Sequence, residues 1–153
     1  MPSPNPIGAF NKWSCTLACI SWTMEKHGHP ISQQDIIYRY GLWFPEWFHR
    51  PGLMERGDIF NLLLRLGLPV RKFIHLNDKD ESLKIISKYY SATDYIAGFV
   101  LTRKPDNHCL AIDVWNGDIV TMMNPDQTKP DFLNIKWDDL FQKSDPDILW
   151  VFR

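Results

Sequence analysis

The stretch Asn11-Lys12-Trp13-Ser14-Cys15-Thr16-Leu17-Ala18-Cys19, continuing through Ile20, Trp22 and Met24, decides how the chain is read. From about residue 14 to 27 its apolar residues fall on nearly every side of a helical wheel, the pattern of a helix buried at the centre of a domain. Gly28 ends that helix and Pro30 blocks its continuation. Cys15 stands in the first turn, where unpaired backbone N–H groups and the positive end of the helix dipole gather. That setting lowers a thiol's pKa and favours the thiolate, the form that attacks a carbonyl carbon. A nucleophile so placed requires a base, and an orienter for that base, from elsewhere in the chain.

Outward from this helix, Ser32-Gln33-Gln34-Asp35 offers an N-cap hydroxyl with an acid three residues on. It predicts a second helix over 33–40, with Ile36, Ile37 and Tyr40 as its apolar side. Residues 41–56, carrying Trp43, Phe44, Trp47 and Phe48, predict an aromatic loop packed on the core. Asp58 is expected to cap a third helix, Ile59 to Leu66, stopped by Gly67. From Val70 to Leu76 the pattern turns to strand. A fourth helix is expected over 80–90 with Leu83, Ile86 and Tyr90 on one side, then a buried strand from Ile96 to Leu101. Residues 108–115 and 118–123 are two strands joined by Asn116-Gly117, a strong hairpin signal. A polar loop follows. Trp137-Asp138-Asp139-Leu140-Phe141 predicts a helical turn or more, and Ile148 to Phe152 a closing strand. The class is α+β: an N-terminal helical part, with the central nucleophile helix packed on a C-terminal antiparallel β-sheet.

A chain of 153 residues supports one domain with its own core, expected over 8–153. Residues 1–7, with Pro-Ser-Pro-Asn-Pro, read as a Pro-rich linker or arm. A hydrophobic content of 44% excludes a disordered chain. The net charge of −1, without a Lys/Arg block, gives nucleic-acid binding no compositional support. Cys15, Cys19 and Cys109 are odd in number and irregularly spaced, so they make no disulfide framework. With no His cluster beside them, a zinc site is not expected, and neither is a cofactor. Such thiols suit a reducing, cytoplasmic site of action. Residues 1–7 lack the basic start and apolar stretch of a signal peptide. No stretch approaches the ~20 apolar residues that span a membrane, so no membrane partner is expected.

Of the five histidines, His27 and His29 sit at a helix end, His49 in the aromatic loop and His75 at a strand end. His108 opens the most convincing strand, directly after the polar loop of residues 103–107, a rigid and accessible place for a base. Asn124 ends the partner strand. Counted from Asn116-Gly117, the two lie nearly opposite each other. The Asn124 carbonyl is then able to accept from the imidazole and fix its tautomer. Asp113 and Asp126 are rival orienters.

These residues resemble the papain-like cysteine peptidases of bacterial type, especially the bacteriocin-leader-processing group and related secreted or injected effectors. The first motif is Cys15-Thr16-Leu17-Ala18-Cys19, running on through Gly28 and Ile31-Ser32. The second is His108-Cys109-Leu110-Ala111-Ile112, then Asn116-Gly117 and Asn124-Pro125. The resemblance covers about residues 8–126. It implies a papain-like fold with Cys15 as nucleophile, His108 as general base and acid, and Asn124 as orienter. The family usually carries a Gln several residues before the Cys. Here the nearest amide is Asn11, the expected oxyanion-hole donor beside the Cys15 N–H. The activity implied is peptide-bond cleavage in a protein or peptide substrate through an acyl-enzyme. Papain-like folds also serve as acyltransferases, deamidases and nuclease toxins, and as catalytically dead binding domains, which are alternative readings of the same residues. A compact domain with a Pro-rich lead-in suits the toxic part of a larger delivered protein, with a cognate immunity protein as partner.

Overall fold

The expected central helix forms over Cys15–Lys26 (α1), and every residue from Thr16 to Met24 is buried. Its end is closed as the sequence predicts. Gly28 takes a positive φ of 81° and the His29 N–H returns to the Met24 carbonyl at 2.9 Å, the bond that terminates a helix on a left-handed residue. A computed structural model describes residues 3–89 and 95–153. The remaining helices are α2 (Gln33–Tyr40), α3 (Arg56–Arg65), α4 (Lys79–Tyr89) and α5 (Trp137–Ser144). The strands are β1 (Lys72–Leu76), β2 (Tyr95–Thr102), β3 (His108–Trp115), β4 (Ile119–Asn124), β5 (Asp131–Lys136) and β6 (Asp147–Phe152). Among the described residues these form one antiparallel six-stranded sheet in the order β1-β6-β2-β3-β4-β5.

Strand alternation divides the core in two. Cys109 and Ala111 of β3 and Met123 of β4 meet Leu17, Ile20 and Trp22 of α1 on one face. Leu110, Ile112 and Met122 meet Ile86 of α4 and Trp137 and Leu140 of α5 on the other. With both faces covered, all six residues of β6 are buried. The antiparallel sheet behind α1 is as expected, and the second helical layer is an addition to it.

Ser32 caps α2 by accepting from the Asp35 N–H at 3.1 Å. The aromatic segment holds two short 3-10 turns, Gly41–Trp43 and Pro45–Phe48, with Phe44 and Trp47 stacked and buried while Phe48 is exposed. Three boundaries need correction. Helix α3 starts at Arg56, so Asp58 is not its N-cap. It lies inside the first turn, where its carboxylate accepts from the Glu55 N–H at 2.9 Å. The segment after Asn124, read as a loop, contains β5, a half-exposed edge strand whose Asn134 and Lys136 disguise its alternation. Strand β1 begins two residues beyond Val70. Tyr90, expected on the inner side of α4, lies outside the described residues. Residues 3–9 run along the body. Trp22 Nε1 donates to the Pro4 carbonyl (3.2 Å), Gln33 Nε2 to the Gly8 carbonyl (2.8 Å), and the Ala9 N–H to the Pro125 carbonyl (3.0 Å).

Candidate active site

Ser14 is the N-cap of α1, yet its hydroxyl makes no cap bond to the helix. It faces back and accepts from the Asn11 N–H at 3.3 Å. No side chain of the N-cap therefore screens the first-turn N–H groups beside Cys15, and no acid stands in that turn. The half-buried Cys15 sulfur is influenced by the His108 ring, the Cys109 backbone and the Thr16 side chain, each of which favours its ionised form. Burial is the strongest single influence on this thiol and pushes it up. The His108 hydrogen bond and charge, with the Cys109 and Thr16 bonds, together outweigh it, and the pKa falls below the ordinary thiol value. Cys19 and Cys109 are fully buried. Burial and the neighbouring Cys109 thiol hold Cys19 well above the ordinary value, which keeps it an inert thiol.

His108 Nε2 lies 2.8 Å from Asn124 Oδ1. Asn124 Nδ2 in turn donates to Asp131 Oδ1 at 3.1 Å. The second contact settles the amide's orientation: the nitrogen faces the carboxylate, so the oxygen faces the ring. Nε2 then carries the proton, and Nδ1 is left for the sulfur. The His108 pKa is raised, first by the hydrogen bond to Cys15, against the opposing effect of burial. The Asn124 bond and the negative charges of Cys15 and Asp126 add to it. A thiol moved down and an imidazole moved up are both shifted toward the thiolate–imidazolium form.

Register explains how the two strands deliver these groups. The hairpin turns on Gly117-Asp118 rather than Asn116-Gly117, with Gly117 at a φ of 95° and the Asn116 N–H on the Ile119 carbonyl at 3.2 Å. Trp115 pairs with Val120 and Val114 with Thr121, but Ile112 pairs with Met122 and Ala111 with Met123. Asp113 is thus an extra residue in β3, a bulge. Carried onward without it, the turn's register would set Asn124 and His108 on opposite faces. The bulge restores parity. Asn124 then stands across from Leu110, diagonal to His108 rather than opposite it. Asp113 is no orienter: its carboxylate pairs with Lys26 at 3.0 Å. Asp126 binds the backbone of Thr128 and Lys129, each at 2.9 Å, and acts on His108 only through its charge.

Cys15 and His108 line an open cleft of about 670 Å³ whose walls include Trp13, Met54, Arg56 and Arg103. Asn11 is not brought to it in the expected role. Its amide nitrogen donates to the Pro51 carbonyl at 2.8 Å and its oxygen accepts from the Trp13 N–H at 2.8 Å. These bonds fasten the loop before α1 to the 51–53 turn and give the Asn11 oxyanion assignment no geometric support. The backbone N–H groups of the first turn of α1 are the donors left beside the sulfur.

Asp131 stands on a strand that reads as a loop in the sequence, and the guanidinium pair of Arg56 and Arg103 carries no sequence signal. Compared with known proteins, the chain matches no family model and no curated protein sequence. Among the described residues no three His, Cys, Asp or Glu side chains group as metal ligands, and no helix is long and apolar enough to cross a membrane.

Proposed function

We propose that the domain is a papain-like cysteine peptidase acting through Cys15, His108 and Asn124. The Cys15 thiolate attacks a peptide carbonyl carbon, and the new oxyanion is met by backbone N–H groups at the start of α1. The C–N bond breaks as His108 Nδ1 gives its proton to the leaving amine. Water then attacks the thioester, His108 takes a proton from it, and the S–C bond breaks to release the acid and the thiolate. Asn124 holds the ring in one tautomer throughout. One observation supports this assignment above the rest: His108 is bonded on Nε2 to an amide that Asp131 has oriented, leaving its other nitrogen for a sulfur at a helix start.

The test is labelling with a neutral thiol-directed epoxide, then incubation with a proteome and mapping of new N-termini. Stoichiometric modification of Cys15 and cleavage products that disappear in Cys15→Ala are expected. An unmodified Cys15, or cleavage that persists in Cys15→Ala, would remove the assignment.

A further inference from the structure

Asp147, the first residue of β6, is 1% exposed. Three side chains converge on one of its oxygens. Arg103 Nη2 lies 2.5 Å from Oδ2, Arg56 Nη2 is bonded to the same atom, and His75 Nε2 is 3.4 Å away. The other oxygen, Oδ1, is buried without a hydrogen-bond partner. Both guanidinium groups belong to the wall of the cleft that holds Cys15 and His108.

Two guanidinium groups sharing one carboxylate oxygen are close together and carry one positive charge beyond what that carboxylate neutralises. Neither is in the two-pronged contact that Arg makes with a dedicated carboxylate. The Asp147 carboxylate is held below the usual range. Burial, the largest influence, pushes it up, and the Arg103 hydrogen bond, the Arg56 charge and the His75 bond together outweigh it. It is therefore a permanent anchor that fixes both side chains; Arg103 Nη1 also donates to the Asp145 carbonyl at 2.9 Å, and the Arg56 and Arg103 side chains stay 45% and 37% exposed. The other acids nearby do not complete the pair. The Asp145 carboxylate is mostly exposed and reaches Arg103 only at 4.0 Å, and Glu55, on the cleft wall, makes no ion pair among the described residues. Lys12 adds a further positive charge to the same wall.

We infer that Arg56 and Arg103, anchored by Asp147, form a subsite for a carboxylate of the substrate, so that the enzyme selects acidic peptides. This rests on the peptidase assignment above. The carboxylate comes either from an Asp or Glu side chain within the peptide or from the peptide's C-terminus. Both present the same planar anion to the same fork.

The test uses epoxysuccinyl peptides extended in both directions from the warhead. In one arm Asp replaces Asn at each position in turn, with amidated ends. In the other, a free C-terminal acid replaces the amide. The expected result is inactivation of Cys15 about tenfold faster for an acidic probe than for its neutral twin, in one arm. That ratio falls to about twofold or less in Arg56→Gln and in Arg103→Gln, and is largely kept in Arg103→Lys. Rates insensitive to the acid in both arms, with neutral probes still labelling Cys15, overturn the subsite and leave the peptidase assignment standing. So does a preference that survives both Gln variants. If neutral probes leave Cys15 untouched in the wild type, the peptidase assignment falls and the subsite with it.

Discussion

Replacing Asp131 by Ala removes the acceptor that fixes the Asn124 amide. A hydrogen bond to a charged acceptor contributes about 1.5–3 kcal/mol when buried. Asp131 is only half-buried, so about 1 kcal/mol is a fair figure after solvent screening. That energy separates the two amide orientations, and losing it admits the flipped form, in which an NH₂ group opposes the ring N–H. The ratio of productive to flipped amide falls about fivefold, which takes the productive share from about five-sixths to about one half. The assay is inactivation by a neutral epoxide, which needs both the thiolate and a proton from His108 to open the ring. Its pH profile is bell-shaped. The acid limb lies below the ordinary thiol value because Cys15 is lowered. The basic limb lies above the ordinary His value of about 6.5, because the Cys15 bond, against burial, and the Asn124 bond raise His108. In Asp131→Ala the rate at the maximum drops about twofold and the basic limb moves to lower pH, since the Asn124 contribution weakens. Asp131→Asn keeps an acceptor oxygen and recovers most of the rate. An Ala variant with the wild-type rate and an unmoved basic limb would refute this account of how the imidazole is held.

Native protein treated with iodoacetamide is expected to lose one thiol, at Cys15, while the fully buried Cys19 and Cys109 stay unmodified; mass spectrometry of digested peptides reads this directly. Deleting Asp113 removes the bulge and sets His108 to Ile112 out of parity with β4, so epoxide labelling is lost, whereas Asp113→Ala keeps the register and costs only the Lys26 pair. Asp147→Asn leaves Arg56 and Arg103 without their anchor. With both arginines partly solvated, about 2 kcal/mol of stability is lost, a fall in Tm of about 4–8 °C. Because the native Asp147 pKa is depressed, the difference from wild type is full above the unfolded carboxylate value of about 3.9 and vanishes as pH falls through the lower native one. Gly52→Ala places a methyl 2.8 Å from Ser14 Cβ at a φ of 88°, which costs about 1–3 kcal/mol and slows labelling of Cys15 by shifting the start of α1.

The helix around Cys15 and the strands that carry His108 and Asn124 are legible in the sequence because each carries a local signal: an all-round apolar pattern, a glycine stop, a glycine turn after an asparagine. What pairs with what is not local. The turn is one residue from where Asn116-Gly117 suggests, and the bulge corrects the error in parity, so His108 and Asn124 meet for a reason the spacing does not contain. The edge strand β5 reads as a loop because only one side of it is even half-buried, and Asp131 is hidden with it. Asn11 is read as an oxyanion donor from its proximity to Cys15, but its amide serves Pro51, forty residues away in the chain. The Arg56–Asp147–Arg103 cluster joins three distant segments and leaves no trace in composition.

Strand β6 sits between the edge strand β1 and β2, though it follows every other described element along the chain. On the ribosome, then, Cys15, His108 and Asn124 are all polymerised before the strand that joins the two parts of the sheet, and until residues 147–152 emerge β1 and β2 face each other across an unfilled gap. The nascent polypeptide consequently holds Cys15, His108 and Asn124 before the strand that ties β1 to the rest of the sheet, and the sheet behind α1 is completed only when residues 147–152 are added.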